Sequence, residues 1–228
     1  MFEEVHDHWY WRPGWRADRS FYTWHVTFAD RSEMAALHAS YADLVDDLPG
    51  FTPVPLEWLH LTLQGIGFTD RVPESDLADI VKATRHRVTR LGSFPVGIGP
   101  AVLDRESIQL PVRPIEPLQH LRDLTRAAIT DVWGDDAVPE LPELNPHITI
   151  AYCNHPAPAA PITTRILNHP PRSTAVSITT LTLLSLTRTH HLYHWTPSRR
   201  SPWISRRGGR LCGLGGSRWW CGVLGGGG

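Results

Sequence analysis

Two hydrophobic patterns follow each other repeatedly along this chain. In one, apolar residues alternate with period two, and in the other they recur at helical spacing. Residues 21–28 alternate and are rich in β-branched and aromatic side chains, which predicts a strand. A helix follows, capped by Asp30 or Ser32, with an apolar stripe that extends to Leu48. The first segments therefore predict a strand followed by an amphipathic helix.

The same two patterns recur up to residue 100. Residues 56–68 predict a second strand, and Ser75 can cap a helix whose apolar stripe extends to Leu91. Residues 94–100 predict a third strand. The first half of the chain thus predicts the order strand, helix, strand, helix, strand.

The second half repeats this order. It predicts strands and helices in the order strand 106–112, helix 115–133, strand 145–152, helix 159–168 and strand 173–186, with an edge strand at 191–196. Two copies of one unit favour an α+β fold with two pseudo-symmetric lobes of antiparallel sheet and outer helices. We expect an N-terminal arm over 1–20 and a bilobal domain over 21–197, with lobes at about 21–100 and 105–197.

One strand of each half contains the sequence His-x-Thr, as His60-Leu-Thr62 and His147-Ile-Thr149. Side chains at i and i+2 lie on the same face of a strand. His60 is therefore expected to share a face with Thr62 and Gln64, and His147 with Thr149. We expect both strands to face a central cleft.

An imidazole and a hydroxyl on each side of a cleft suit the chemistry of a phosphodiester. Breaking a P–O bond in line requires a base on one side and an acid on the other, and histidine serves either role because its ordinary pKa is near 6.5. Threonine hydroxyls can donate to the phosphate oxygens on which charge builds. His60 and His147 are the candidate catalytic pair.

A third His-x-Thr sequence begins at His25. It lies in the strand that opens the first half, and the corresponding strand of the second half, around Gln109, has no histidine. The repeat therefore separates His25 from the catalytic pair. We expect it to pack beside the cleft or to border the substrate.

Charge divides the chain into a body and a tail. Net charge is −1, but residues 198–228 hold six Arg and no acid, which leaves −7 for residues 1–197. So acidic a body is a poor match for long duplex nucleic acid. We expect 198–228 to be a disordered tail, with binding of single strands as the alternative. Without a signal peptide or membrane span, we expect a cytoplasmic monomer.

The segments HLTLQGIG and HITIAY resemble the paired HxTx signatures of the 2H phosphoesterase superfamily, in particular its 2′-5′ RNA ligase-like branch. The resemblance covers about residues 21–196 and implies that family's bilobal fold. It implies hydrolysis of 2′,3′-cyclic or 2′-5′-linked RNA phosphodiesters, or 2′-5′ ligation, without a metal or cofactor. The substrate would be an RNA terminus or a cyclic nucleotide. His60 and His147 would be base and acid, in either order, and Thr62 and Thr149 phosphate ligands.

The sequence departs from this family at positions that bear on the phosphate. Gln64 follows the first motif where a basic or bulky residue is common, and Tyr152 stands where Arg is common after the second. Strict alternation turns Tyr152 toward the core, so its contact with substrate requires a bulge. Arg188 or Arg113, near strand ends, could supply the missing charge. A non-catalytic module that binds RNA ends or nucleotides is the alternative function.

A metal site is the other alternative that the sequence offers. His190, His191 and His194 lie close together, but no acid or cysteine completes a tetrahedral zinc site beside them. We therefore expect no metal.

Overall fold

The computed structural model describes residues 2–139 and 143–197, and the predicted tail 198–228 lies outside these residues. The helices are α1 Ser32–Ala39, α2 Ala42–Val45, α3 Glu74–Val88, α4 Glu116–Trp133 and α5 Ala159–Asn168. The strands are β1 Glu4–Val5, β2 Ser20–Thr27, β3 Phe51–Pro53, β4 His60–Phe68, β5 Phe94–Ile98, β6 Val102–Asp104, β7 Ser107–Arg113, β8 His147–Cys153, β9 Ala157–Pro158, β10 Thr174–Ile178, β11 Thr182–Thr189 and β12 Leu192–Pro197. Short 3-10 turns occupy Leu56–Trp58 and Asp135–Ala137. The predicted α+β class is confirmed.

Two antiparallel sheets carry the two motif strands. One has the order β12-β11-β2-β4 and contains His60, and the other has the order β10-β5-β7-β8-β3, with β6 beside β7, and contains His147. Strand β4 lies against β8. The sheets thus bring together two motifs that are far apart in sequence.

Each sheet takes strands from both halves of the chain. β5 of the first half pairs with β7 of the second, and β11 of the second half pairs with β2 of the first. The two sheets therefore do not coincide with the consecutive lobes 21–100 and 105–197.

The prediction of a single strand over 173–186 is wrong, because this segment contributes one strand to each sheet. The chain leaves one sheet after Ile178 and enters the other at Thr182. Arg31 holds this crossing, since its guanidinium donates to the Ser177 carbonyl at 3.1 Å and to the Thr179 hydroxyl at 2.7 Å. Apolar alternation continues through the crossing and conceals it.

The first predicted helix is divided into α1 and α2, although its apolar stripe is buried as expected. Tyr41 lies at the break, and its phenol donates to the Arg172 carbonyl at 2.7 Å and accepts from the Ala101 amide at 3.1 Å. Neither predicted side-chain cap is present, because α1 begins after Arg31 and α3 begins at Glu74, before Ser75.

The N-terminal arm lies along the domain and is fixed at both ends of its first segment. β1 pairs with β9, and the His8 amide donates to the Cys153 carbonyl at 2.9 Å. This docking carries the next residues of the arm toward the two motif strands. Across the described ranges, no helix combines the length and the apolarity that crossing a lipid bilayer requires.

Candidate active site

A cleft of about 440 Å³ lies between the two motif strands. His60 and Thr62 of β4 line it, and His147 and Thr149 of β8 line it as well. Its volume is in the range of pockets that hold small molecules. The structure therefore brings the four predicted catalytic residues to one cavity.

The two motif histidines are held in the same way. Nδ1 of His60 lies 2.8 Å from the Trp58 carbonyl, and Nδ1 of His147 lies 2.8 Å from the Asn145 carbonyl. A carbonyl only accepts, so Nδ1 carries the hydrogen in both rings. Nε2 of each ring is left to exchange protons with a substrate or water. Each of these carbonyls belongs to the residue two positions before its histidine. The two halves of the chain therefore share the histidine tautomer as well as the His-x-Thr motif.

The motif threonines differ in exposure. Thr62 is exposed at the cleft, whereas the side chain of Thr149 is buried and close to the Tyr152 phenol. The Thr62 hydroxyl is therefore the more accessible of the two. The two motifs thus have the same residue types, but their threonine hydroxyls differ in exposure to water.

Both motif strands contain a β-bulge at the same place. In the pairing of β2 with β4, Leu63 has no partner, and in the pairing of β7 with β8, Ile150 has none. Each follows its motif histidine by three residues. An extra residue reverses the alternation beyond it. Gly65 and Tyr152, the fifth residues after the two histidines, therefore both line the cleft.

The bulge moves Gln64 away from the predicted face. Its Oε1 accepts from Arg126 of α4 at 3.3 Å and its Nε2 donates to the Gly65 carbonyl at 2.9 Å, and it is not a cleft residue. The prediction that it shares a face with His60 and Thr62 is wrong because the alternation is interrupted at Leu63.

The bulge in β8 has the opposite effect on Tyr152, which it brings to the cleft. The bulge that contact with substrate required is present. At the corresponding position in β4, a Cβ on Gly65 would lie 2.7 Å from Cε1 of Phe21, which occupies the space. One wall of the cleft therefore presents a phenol and the other a hydrocarbon ring.

His25 lies behind His60. The two rings stack with centroids 4.7 Å apart and an interplanar angle of 19°. The His25 side chain is 0% exposed, and neither of its ring nitrogens has a hydrogen-bond partner among the residues that the structure describes. It borders the cleft but has no accessible surface with which to contact a substrate.

His60 is the more enclosed of the two motif histidines. The Trp195 ring meets it edge-on at 5.3 Å, and His25 covers one face. Burial lowers the pKa of His60 from 6.5 to about 4, opposed by the hydrogen bond to Trp58 and assisted by the nearby His147. The His60 ring is therefore neutral at pH 7.

The arm contributes His8, which sequence analysis missed. Its Nδ1 donates to the Glu106 carboxylate at 2.8 Å, and its Nε2 accepts from the Tyr193 phenol at 3.0 Å. Burial and the positive charges of Arg12 and Arg188 lower the pKa of His8 to about 3. His8 therefore orients the phenol as a neutral ring.

Arg12 is a second arm residue that the sequence did not reveal. Among the described residues that line the cleft, it carries the one guanidinium group, and its Nη2 donates to Glu106 at 2.6 Å. The aromatic-rich arm has no periodicity that relates it to the motif strands, so no spacing pointed to either residue.

Arg188 does not supply the charge that was expected of it. It is 5% exposed, donates to the Tyr10 and His8 carbonyls at 3.2–3.3 Å, and lies 5.1 Å from the Trp9 ring. Arg188 therefore anchors the arm. Arg113 also lies outside the cleft lining.

The histidine group near the C-terminal end of the domain forms a turn. His190 and His191 both have positive φ and connect β11 to β12. Within residues 2–139 and 143–197, no group of three or more His, Cys, Asp or Glu side chains is arranged to hold a metal ion.

Comparison with known proteins gives one family and a consistent fold. The family model described as the 2′-5′ RNA ligase superfamily matches residues 47–190. TT0787 of Thermus thermophilus is 27% identical, with a TM-score of 0.57 over 78% of this chain and 94% of its own. LigT of E. coli is 17% identical, with a TM-score of 0.57 over 79% and 95%. The PDE domain of MHV ns2 is 11% identical, with a TM-score of 0.51 over 74% and 99%. No curated protein matches the sequence.

Proposed function

Since this chain belongs to the 2′-5′ RNA ligase superfamily of 2H phosphoesterases, we propose that it hydrolyses 2′,3′-cyclic or 2′-5′-linked RNA phosphodiesters. His60 and His147 act as the acid–base pair, with Thr62 and Thr149 beside the phosphate. The substrate is an RNA terminus or a cyclic nucleotide. In 2′-5′ ligation, the 5′-hydroxyl of a second RNA would attack the cyclic phosphate in place of water, and the 3′ oxygen would leave.

The observation that carries this proposal is the matched anchoring of two imidazoles in one cleft. Each donates from Nδ1 to a carbonyl at 2.8 Å, so each offers Nε2 to the cavity. One Nε2 takes a proton from water as its oxygen attacks phosphorus. The other donates a proton to the departing ribose oxygen, and the P–O bond to that oxygen breaks.

Solved relatives bind ligands of this class. E. coli LigT has been crystallised with 3′-AMP and with phosphate, at TM-scores of 0.54 and 0.53 to this chain. A 3′-phosphorylated or 2′-phosphorylated nucleoside is what opening a cyclic phosphate yields. The likeness supports the substrate class, and the two histidines of this chain support the reaction.

The test is turnover of 2′,3′-cyclic mononucleotides in the presence of EDTA. Since each proton transfer contributes roughly 10²–10⁴ in rate, His60→Ala and His147→Ala should each lower kcat by at least about a hundredfold. His120→Ala, an exposed histidine on α4, is the matched control and should retain wild-type rates.

Wild-type rates in either motif variant would contradict the two-histidine mechanism. A protein that binds a cyclic nucleotide without forming product, and whose binding survives both substitutions at modest cost, would instead be the nucleotide-binding module that the sequence left open.

A further inference from the structure

The buried imidazole of His25 has no role in the chemistry just described. It is 0% exposed, its two ring nitrogens have no hydrogen-bond partner within residues 2–139 and 143–197, and its ring stacks on that of His60. A buried polar side chain without partners is costly and therefore unusual. Its position against a catalytic ring calls for an explanation.

The other half of the molecule lacks this arrangement. His25 pairs with Thr62 across β2 and β4, and Gln109 pairs with Thr149 at the same register across β7 and β8. Gln109 is satisfied locally, since its amide donates to the Ser107 hydroxyl at 2.9 Å. The two motif histidines therefore share their anchoring but differ in what lies behind them.

Several groups face the stacked pair from the surrounding elements. Tyr193 and Trp195 of β12 approach the His60 ring at 6.2 and 5.3 Å, and Trp195 also approaches His25 at 6.3 Å. The titratable neighbours are His147 of β8, whose charge disfavours protonation of His60, and His8 of the arm.

A protonated His25 would be a charge without water or partner, so this ring stays neutral. The neutral ring covers one face of His60 and excludes water from it. A charge on His60 is thereby less well solvated than one on His147, because the Nδ1 hydrogen bond of His60 is partly buried and that of His147 is exposed. The stack distinguishes two histidines that are otherwise equivalent.

We propose that His25 is a positioning residue that holds His60 in its neutral form and so makes His60 the general base and His147 the general acid. This inference rests on the proposed function. In ring opening, Nε2 of His60 takes the proton of the attacking water, whose oxygen bonds to phosphorus. Nε2–H of His147 gives its proton to the ribose oxygen as the P–O bond breaks.

The experiment compares His25→Gln with His25→Phe by the pH profile of kcat/KM on a 2′,3′-cyclic mononucleotide. Glutamine reproduces the arrangement behind His147, while phenylalanine keeps an uncharged ring over His60. We expect the wild type and His25→Phe to retain most of their activity at about pH 5, and His25→Gln to lose roughly tenfold relative to about pH 7.5, as the acid limb returns toward pH 6.5. His120→Gln should leave the profile unchanged.

The inference would be overturned if the acid limb of the kcat/KM profile of His25→Gln lay at the same pH as in the wild type. It would also be overturned if only the alkaline limb shifted. Titration of the His60 ring by NMR, assigned by its loss in His60→Ala, tests the same claim without substrate. If the wild type turns over no cyclic phosphate, the proposed function fails, and this titration still decides whether His25 holds His60 neutral.

Discussion

One hydrogen bond at each motif histidine determines which nitrogen reacts. The Trp58 and Asn145 carbonyls hold the proton on Nδ1, so catalysis passes through Nε2 on both sides of the phosphate. Carbonyls of the main chain cannot be removed by substitution. The orientation of both rings is therefore protected from most single mutations.

Arg12 should matter for substrate charge. Replacing it by Ala removes the guanidinium from the cleft and leaves the Glu106 carboxylate facing an anionic phosphate. We expect KM for a cyclic phosphate to rise about tenfold or more, the value of one charge-assisted hydrogen bond, with a smaller change in kcat.

Arg16→Ala is the matched control for Arg12, since its side chain lies on the same arm, is 71% exposed and pairs with Asp70 outside the cleft lining. Equal kinetic effects of the two substitutions would show that Arg12 acts only through the general charge of the arm.

At the residue scale, the sequence predicted the cleft positions of His60, Thr62, His147 and Thr149 because period-two alternation holds over three residues. It could not predict the position of Gln64. The bulge residues Leu63 and Ile150 are buried aliphatics like their neighbours, so nothing in their composition marks the point where alternation reverses.

At the scale of elements, the buried cation Arg188 helps to hold the arm against the domain. Arg188 donates to two arm carbonyls and lies among the rings of Trp9, Trp11, Trp15 and Tyr193. Arg188→Ala should release the arm and carry His8 and Arg12 away from the cleft. We expect faster amide exchange over residues 6–16 and a higher KM, measured by hydrogen-exchange mass spectrometry and kinetics.

Arg113→Ala, at the end of β7 and exposed, provides the comparison for Arg188. If the arm remained protected from exchange in Arg188→Ala, its docking would depend instead on the pairing of β1 with β9.

Helices and strands with a clear hydrophobic period were predicted well. Elements whose presence depends on tertiary contacts were not. α5 has the predicted bounds 159–168. The crossing between β10 and β11 depends on the second sheet, and β3 exists only through its pairing with β8. No local pattern could reveal either.

For the molecule as a whole, neutral buried histidines make stability depend on pH. Burial lowers the pKa of His8, His25 and His60 below 6.5, to about 3 for His8 and about 4 for His60. Between pH 6.5 and about 4 the unfolded chain binds more protons than the folded one, so the free energy of unfolding falls as pH is lowered. Each histidine contributes up to about 1.4 kcal/mol per pH unit in this window.

Urea unfolding midpoints measured from about pH 7.5 to about pH 5 test this slope. In His25→Phe this slope should correspond to the uptake of about one proton fewer on unfolding, because phenylalanine does not titrate. A midpoint that stays constant across the window would contradict the assignment of these rings as neutral.

The reciprocal pairing of β5 with β7 and of β11 with β2 has a consequence for the independence of the two halves. In each sheet, a late strand of one half completes the sheet begun by the other half. A single copy of the repeated unit would keep one neighbour of its first strand, β4 beside β2 or β8 beside β7, and would lack the other. The two halves thus exchange strands as the subunits of a domain-swapped dimer do, and neither half completes a sheet by itself.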